Sequence, residues 1–440
     1  MIRRLVTLIL LVAAVPQASA QTTTQDQMNH QHHDTTAPGG LYTTREASGT
    51  SWTPALTPMS GVMRDWRGWS LMLHGALFGQ VVIEPGDRHR TGGNSTHQIS
   101  SANWAMAMAR RSLAGGRIGF RAMGSAESWT VRDCGFINFL ATGEMCEGDT
   151  IHDRQHPHDL IMEVAAEYDH PLGGALRWQI YGGIAGEPAL GPIAFPHRLS
   201  ARANPIAPIA HHWMDATHIT FGVVTAGISG DRWKAETSVF NGREPDDKRT
   251  GVDFGPLDSI SGRLSVMPSD TVVLQVSAGH LEESEDEFPP EPRADVDRVT
   301  ASATWHRRLG PWLSATTLAY GRNAGLEIVP GERVRLVTHA AMLEGSFSRE
   351  DRETWYGRFE IVGKPAHDLH AHEYPRAVFT VSKAQVGYER AFGAWRSLIA
   401  GVGGTAAISL LPTELSSRYS GRLAPSFGVY LSLRPRSHMM

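Results

Sequence analysis

RWKAETSVF, residues 232–240, places Trp233, Ala235, Thr237 and Val239 on one side of an extended chain and Lys234, Glu236 and Ser238 on the other. Successive side chains of a strand point to opposite faces, so strict alternation means a strand with one apolar and one polar face. The pattern returns along the chain. In LRWQIYGGI, residues 176–184, Leu176, Trp178, Ile180 and Ile184 oppose Arg177, Gln179 and Tyr181. In LIMEVAAEYD, residues 160–169, Leu160, Met162, Val164, Ala166 and Tyr168 oppose Glu163, Glu167 and Asp169. In ETWYGRFEI, residues 353–361, Trp355, Phe359 and Ile361 oppose Arg358 and Glu360.

Sixteen segments of this kind fit between residues 70 and 434, and their connections alternate in length. Short turns fall at 113–116, 170–174, 229–231, 267–270, 307–311, 349–351 and 392–395. Long loops fall at 84–97, 128–159, 186–214, 242–256, 283–293, 323–332, 364–377 and 408–419. A soluble sandwich has similar connections at both ends. This rhythm instead predicts an all-β fold, a transmembrane antiparallel β-barrel of about 16 strands (14–18) with short periplasmic turns and long extracellular loops. A tilted strand of about ten residues crosses the apolar band, and closure removes exposed strand edges. The 45 glycines, 12 tryptophans and 9 tyrosines suit tight turns and aromatic belts at the membrane interfaces.

Residues 1–20 read as a signal peptide: Arg3 and Arg4, an apolar run from Leu5 to Val15, then Ala18-Ser19-Ala20. Residues 21–69 read as a periplasmic N-terminal extension and 70–440 as the barrel. The second half of the extension, SWTPALTPMSGVMRDWRGW, either plugs the barrel mouth or tethers it. After residue 20 no apolar run approaches the ~18 residues of a spanning helix. Removing Arg3 and Arg4 from the 41 Lys and Arg leaves 39 against 45 Asp and Glu, a net charge of −6 that argues against nucleic acid as a partner. Export to an oxidising compartment makes Cys134 and Cys146 a disulfide candidate worth roughly 3 kcal/mol, with thiolate metal ligation the alternative.

Glu163, Glu167, Arg177, Lys234, Glu236, Arg298, His306, Arg358 and Glu360 fall on polar strand faces and are the pore-lining candidates. Such a lumen holds water and sets ion selectivity, or is filled by its own salt bridges. Histidine is concentrated in the connections. HDRQHPHD, residues 152–159, gives His152, His156, His158 and Asp159; residues 197–218 give His197, His211, His212, Asp215 and His218. HDLHAHE, residues 367–373, gives His367, His370, His372 and Glu373, and the N-terminal MNHQHHD gives Met28, His30, His32, His33 and Asp34. Imidazole, carboxylate and thioether in this density suit copper or zinc, or bond one another at the barrel rim. In strand register Asp215 and His218 face opposite ways. The carboxylates from Glu282 to Glu291 read as a solvated face.

The alternation and loop rhythm resemble bacterial outer-membrane porin-like barrels over essentially the whole mature chain. DRQHPHDL, AHHWMDATHITFGVV and FNGREPDD further resemble segments of an outer-membrane family associated with copper and heavy-metal resistance loci. The chain departs from barrel practice at its end, where FGVYLSLRP is followed by RSHMM in place of a terminal aromatic residue. The resemblance implies a bacterial outer-membrane channel for small solutes or ions. No cofactor is required, and copper or zinc is the ion the histidines would hold. Membrane lipid, solutes or metal ions, and further copies of the chain are the expected partners. No GxSxG, HExxH or phosphate-loop motif occurs, so the expectation is a non-enzyme. A lipid hydrolase and a structural or adhesive barrel are the alternatives.

Overall fold

The computed structural model describes residues 41–85, 96–132, 134–146, 149–285, 294–329, 332–349, 351–369, 371, 373–419 and 421–438. The signal peptide and His30, His32, His33, His370 and His372 lie outside the described residues.

Sixteen antiparallel strands close into a barrel. They are β1 (Trp69–Ile83), β2 (His97–Leu113), β3 (Gly116–Gly124), β4 (Ile161–Gly173), β5 (Leu176–Gly186), β6 (Thr220–Ser229), β7 (Trp233–Phe240) and β8 (Ser259–Ser269). β9 (Val272–Glu285), β10 (Ala294–Leu309), β11 (Trp312–Val329), β12 (Glu332–Arg349), β13 (Glu353–Pro365), β14 (Val378–Trp395), β15 (Leu398–Leu410) and β16 (Leu423–Pro435) complete it. β16 returns to β1 from Phe427↔Ile83 to Leu433↔Leu77. Below that seam the short strand Val62–Trp66 pairs with β1, and Met59–Ser60 pairs with Ser437–His438.

The alternation now acquires a direction. Along β7, Trp233, Ala235, Thr237 and Val239 are exposed on the outer wall, while Lys234, Glu236 and Ser238 are buried inside. Val276, Leu318, Phe359 and Val429 continue the apolar outer face, and Arg263, Arg358 and Glu360 the polar inner one. An apolar exterior around a charged interior inverts the soluble pattern and fits lipid. Trp66, Trp233, Trp305, Trp355 and Trp395 are exposed close to the short turns, as an interfacial girdle requires. The chain is an outer-membrane β-barrel.

Four expectations are corrected. Met162 does not share the lipid face with Val164: register shifts at Val164/Ala165 and Met123/Gly124 turn it inward, leaving it 1% exposed. A bulge adds one residue and so exchanges the faces beyond it. The 323–332 connection is mostly strand, since β11 and β12 stay paired from Asn323↔Thr338 to Val329↔Glu332. The 128–159 connection is structured, with a short helix Glu127–Thr130 and the paired strands Phe136–Cys146 and Asp149–Gln155. Cys134 and Cys146 form a disulfide there, their Cα atoms 5.9 Å apart. The fourth correction is that β6 begins at Thr220, so His211–Met214 and Ala216–His218 are short helical turns and not strand.

The lumen is not a wide aqueous bore. Residues 187–219, of which 186–214 were expected as an extracellular loop, fold into the barrel, as do residues 41–58. Arg263 donates to Ser51 and Thr50 (both 2.8 Å), Lys234 to the Thr50 carbonyl, and Ser51 to Glu187 at 3.2 Å.

Candidate metal-binding and permeation site

The inserted loop is held by wall side chains that a period-two strand aims inward. Glu344 on β12 accepts from Arg198 of the loop at 3.1 Å, from Ser200 at 2.8 Å and from Arg358 of β13 at 2.8 Å. Arg358 also donates to the Ile206 carbonyl at 2.8 Å, and Glu360 accepts from the Ala210 amide at 3.0 Å. The Trp213 indole donates to Thr338 at 2.7 Å. Two cations on one carboxylate satisfy the desolvation that either ion alone would suffer in the interior.

On this scaffold the histidines of two loops meet. His211 Nδ1 lies 2.9 Å from Asp215 Oδ1, and the other oxygen of Asp215 accepts from Arg198 and from the Phe195 amide at 2.7 and 2.8 Å. His218 Nδ1 lies 2.8 Å from the Asp215 carbonyl, and His158 Nδ1 lies 2.8 Å from Glu127 Oε2. Ring centroids are 5.1 Å apart for His211 and His218, and 5.3 Å for His158 and His218. His156 lies 6.4 Å from both His211 and His212. The Nε2 atoms of His211 and His218 are buried without a hydrogen-bond partner. Each Nδ1–H is therefore spent on a fixed acceptor while Nε2 keeps its lone pair, the arrangement outer groups impose on metal-binding imidazoles.

Burial holds His211 down to about 4, against the pull of Asp215, and drives His218 well below its ordinary value. Neutral imidazoles are the form that ligates. Burial also pushes His158 down, but the Glu127 carboxylate overrides it and leaves this imidazole above its ordinary range. Burial works against the ionised form of Asp215, but Arg198 and the histidines His211 and His218 together outweigh it and keep the carboxylate ionised.

The candidate residues separate into groups. His156, His158, His211 and His212 come together: His211 neighbours His156, His212 and His218, and His218 links it to His158. The helical turns supply what strand register denied, bringing His218 Nδ1 to the Asp215 carbonyl, and four residues apart on the first turn His211 and Asp215 are neighbours. His152 lies on the loop hairpin opposite Thr142, 3.8 Å from Asp153, and Asp159 meets Arg249 at 3.5 Å. His367 lies beside Asp368 at 3.3 Å, and Asp368 is close enough to His212 to feel its charge.

The pore-lining candidates face inward but meet partners, not open water. Lys234 pairs with Glu236 at 3.3 Å, Glu163 accepts from Tyr181 at 2.7 Å, and Arg298 donates to Asn323 at 3.0 Å. Glu167 binds Arg121 at 2.7 Å, and Arg177 donates to Asp169 at 2.7 Å. His306 Nδ1 lies 2.7 Å from the Thr57 hydroxyl. Sequence reasoning missed Glu127, Arg198 and Glu344; Glu344 was legible from the alternation of β12, whereas Arg198 lies where no periodicity exists. It also passed over His280 and Asp295, and read Glu282 as part of a solvated face. Among the described residues these three alone bring three histidine or carboxylate ligand atoms within 4.8 Å of one another, at a part-exposed edge of β9 and β10.

A cavity of about 200 Å³ runs from Pro58–Ser60 and Arg434, at the turn end, up to Glu127, His158 and His197. Of the histidine cluster, His158 lines it.

No protein-family model matches this chain, and no curated protein sequence does. Among solved structures it is similar to an OmpF of Salmonella typhi in complex with daunomycin, with 13% identity, 85% of this chain and 100% of that one covered, and a TM-score of 0.49. It is also similar to the outer-membrane channel DcaP of Acinetobacter baumannii (10%, 86% and 100%, 0.48) and to an anion-selective porin from Comamonas acidovorans (10%, 83% and 99%, 0.47).

Proposed function

We propose that this barrel is a porin-like channel of the outer membrane whose lumen is narrowed by residues 41–58 and 187–219, and that the ions it handles are transition-metal cations such as copper or zinc. The observation that supports the ion reading is the group of His158, His211 and His218, each with Nδ1 fixed by an acceptor. Selection by such a group requires binding weak enough to release, so the site acts as a filter along the cavity.

The test is conductance and metal binding on the same preparation. Full-length protein in planar bilayers gives small, discrete steps that dilute Zn(II) or Cu(II) reduces. Replacing His156 and His158 together by alanine lowers calorimetric Zn(II) or Cu(II) binding, and His211→Ala does so by about tenfold or more. A bilayer without conductance steps defeats the channel, and unchanged titrations return the histidines to a packing role.

A further inference from the structure

The lower half of the cavity carries a second constellation, built from strand register. Met72 and His74 lie two apart on β1 and share its inner face, as Met106 and Met108 do on β2. His74 is paired with Met106 and Met72 with Met108; Met106 is in turn opposite Met123 of β3. Their outward neighbours Leu73 and Phe120 are 54% and 45% exposed, while Met106, Met108 and Met123 are buried. Directly opposed side chains on one face have Cβ atoms about 4.5–5.5 Å apart. Thioethers and an imidazole therefore stand within reach of one small ion.

Two features single out this ladder. The inner face of a membrane barrel is ordinarily polar, whereas here it presents sulfur to a cavity that Met72, His74, Met106, Met108 and His197 all line. Second, His74 Nε2 is buried without a hydrogen-bond partner, and neighbouring thioethers are only weak acceptors. Methionine as a gap-filler around Tyr42 accounts for the sulfur. It accounts neither for the orphaned imidazole nor for the space left beside it. His197 comes down from the inserted loop to 5.9 Å from the His74 ring, and Trp104 lies 5.2 Å from His74 and 4.7 Å from His197. An indole face at this range adds attraction for a cation.

We infer that His74, Met106 and Met108, with Met72 and His197 alongside, bind a soft monovalent d10 cation of the copper(I) or silver(I) class. Thioether with imidazole selects such ions over Zn(II), which prefers nitrogen, oxygen and thiolate. The site extends the ion reading from the histidine cluster to the turn end, and it rests on that reading for its purpose in passage, not for its existence.

Silver(I) is the probe, because it needs no reductant that would open the Cys134–Cys146 disulfide. It is titrated into the detergent-solubilised full chain and followed by tryptophan emission and silver X-ray absorption. Both cysteines are in the disulfide, so sulfur scattering reports methionine. The double variant Met106→Leu with Met108→Leu preserves volume. It weakens silver binding by about tenfold or more and reduces the sulfur signal, with Zn(II) binding unchanged. His74→Gln weakens silver binding while keeping the sulfur signal. Unchanged silver affinity and spectrum in both variants overturn the site. Conductance is recorded separately: silver binding without conductance removes the channel and keeps the site, and conductance without the silver effect removes only the site.

Discussion

Glu344 shows how one residue fastens the lumen. It is 1% exposed and takes Arg198 from the inserted loop and Arg358 from the wall. Glu344→Gln takes from buried Arg358 its ion-pair carboxylate, while Arg198 keeps Asp215, a loss of about 3–5 kcal/mol when a buried pair is broken. The expected outcome is a lower melting temperature by circular dichroism together with larger, noisier conductance steps, as residues 187–219 detach from the wall. Conductance equal to the parent's would mean that the loop is held by other contacts. At this scale the sequence was partly readable. Glu360 and Arg358 announced their inward direction through the alternation of β13, but their loop partners Ala210 and Ile206 lie about 150 residues away in the chain. Nothing local encodes such pairs.

Among the elements, the helical turn His211–Met214 decides where the histidines stand. It sits against β11, where a Cβ at Gly321 would come within 2.0 Å of the Trp213 carbonyl oxygen. Glycine here makes room for another backbone, a steric role and not a conformational one. Gly321→Ala is expected to displace the turn, increase protease cleavage within residues 187–219 and weaken metal binding at His211; wild-type cleavage would refute that seat. The loop hairpin behaves differently. Its disulfide closes residues 134–146, whose Phe139 and Leu140 are buried against the inner wall and the inserted turn, and replacing Cys134 and Cys146 by serine costs roughly 3 kcal/mol locally on the loop-entropy model. Cleavage of the 134–155 segment rises while the heat-induced mobility shift of the barrel on gels stays unchanged. The strands themselves were legible because period two is written into nine or more consecutive residues. The turn 211–218 was not, since four helical residues make no period of their own.

The whole molecule is ordered by lipid outside and a packed polar interior within. Phe359 is 46% exposed on the outer wall of β13. Phe359→Arg is therefore expected to cost about 2–4 kcal/mol if it sits at the bilayer midplane, measured by urea unfolding from lipid vesicles. Tyr374→Arg, in the loop beyond β13, is expected to change little. Equal costs at the two positions would contradict a membrane band at Phe359. The same inside-out order frames the methionine ladder: unbroken register brings Met72, Met106, Met108 and Met123 to the inner face, and the bulges near Met123 and Met162 add Met162, which the simple alternation of β4 had placed against lipid.

Alternation, turn chemistry and the unequal connections were sufficient by themselves to determine a barrel of about sixteen strands, the direction of the strand faces outside the bulged start of β4 and the membrane setting, because each is a local property of consecutive side chains. The tertiary structure alone decided that residues 41–58 and 187–219 enter the lumen, that His158 meets His211 and His218, and that His74 faces Met106. Those juxtapositions arise from closure of the barrel and from register between strands, and both act across distances in the chain over which no periodicity survives.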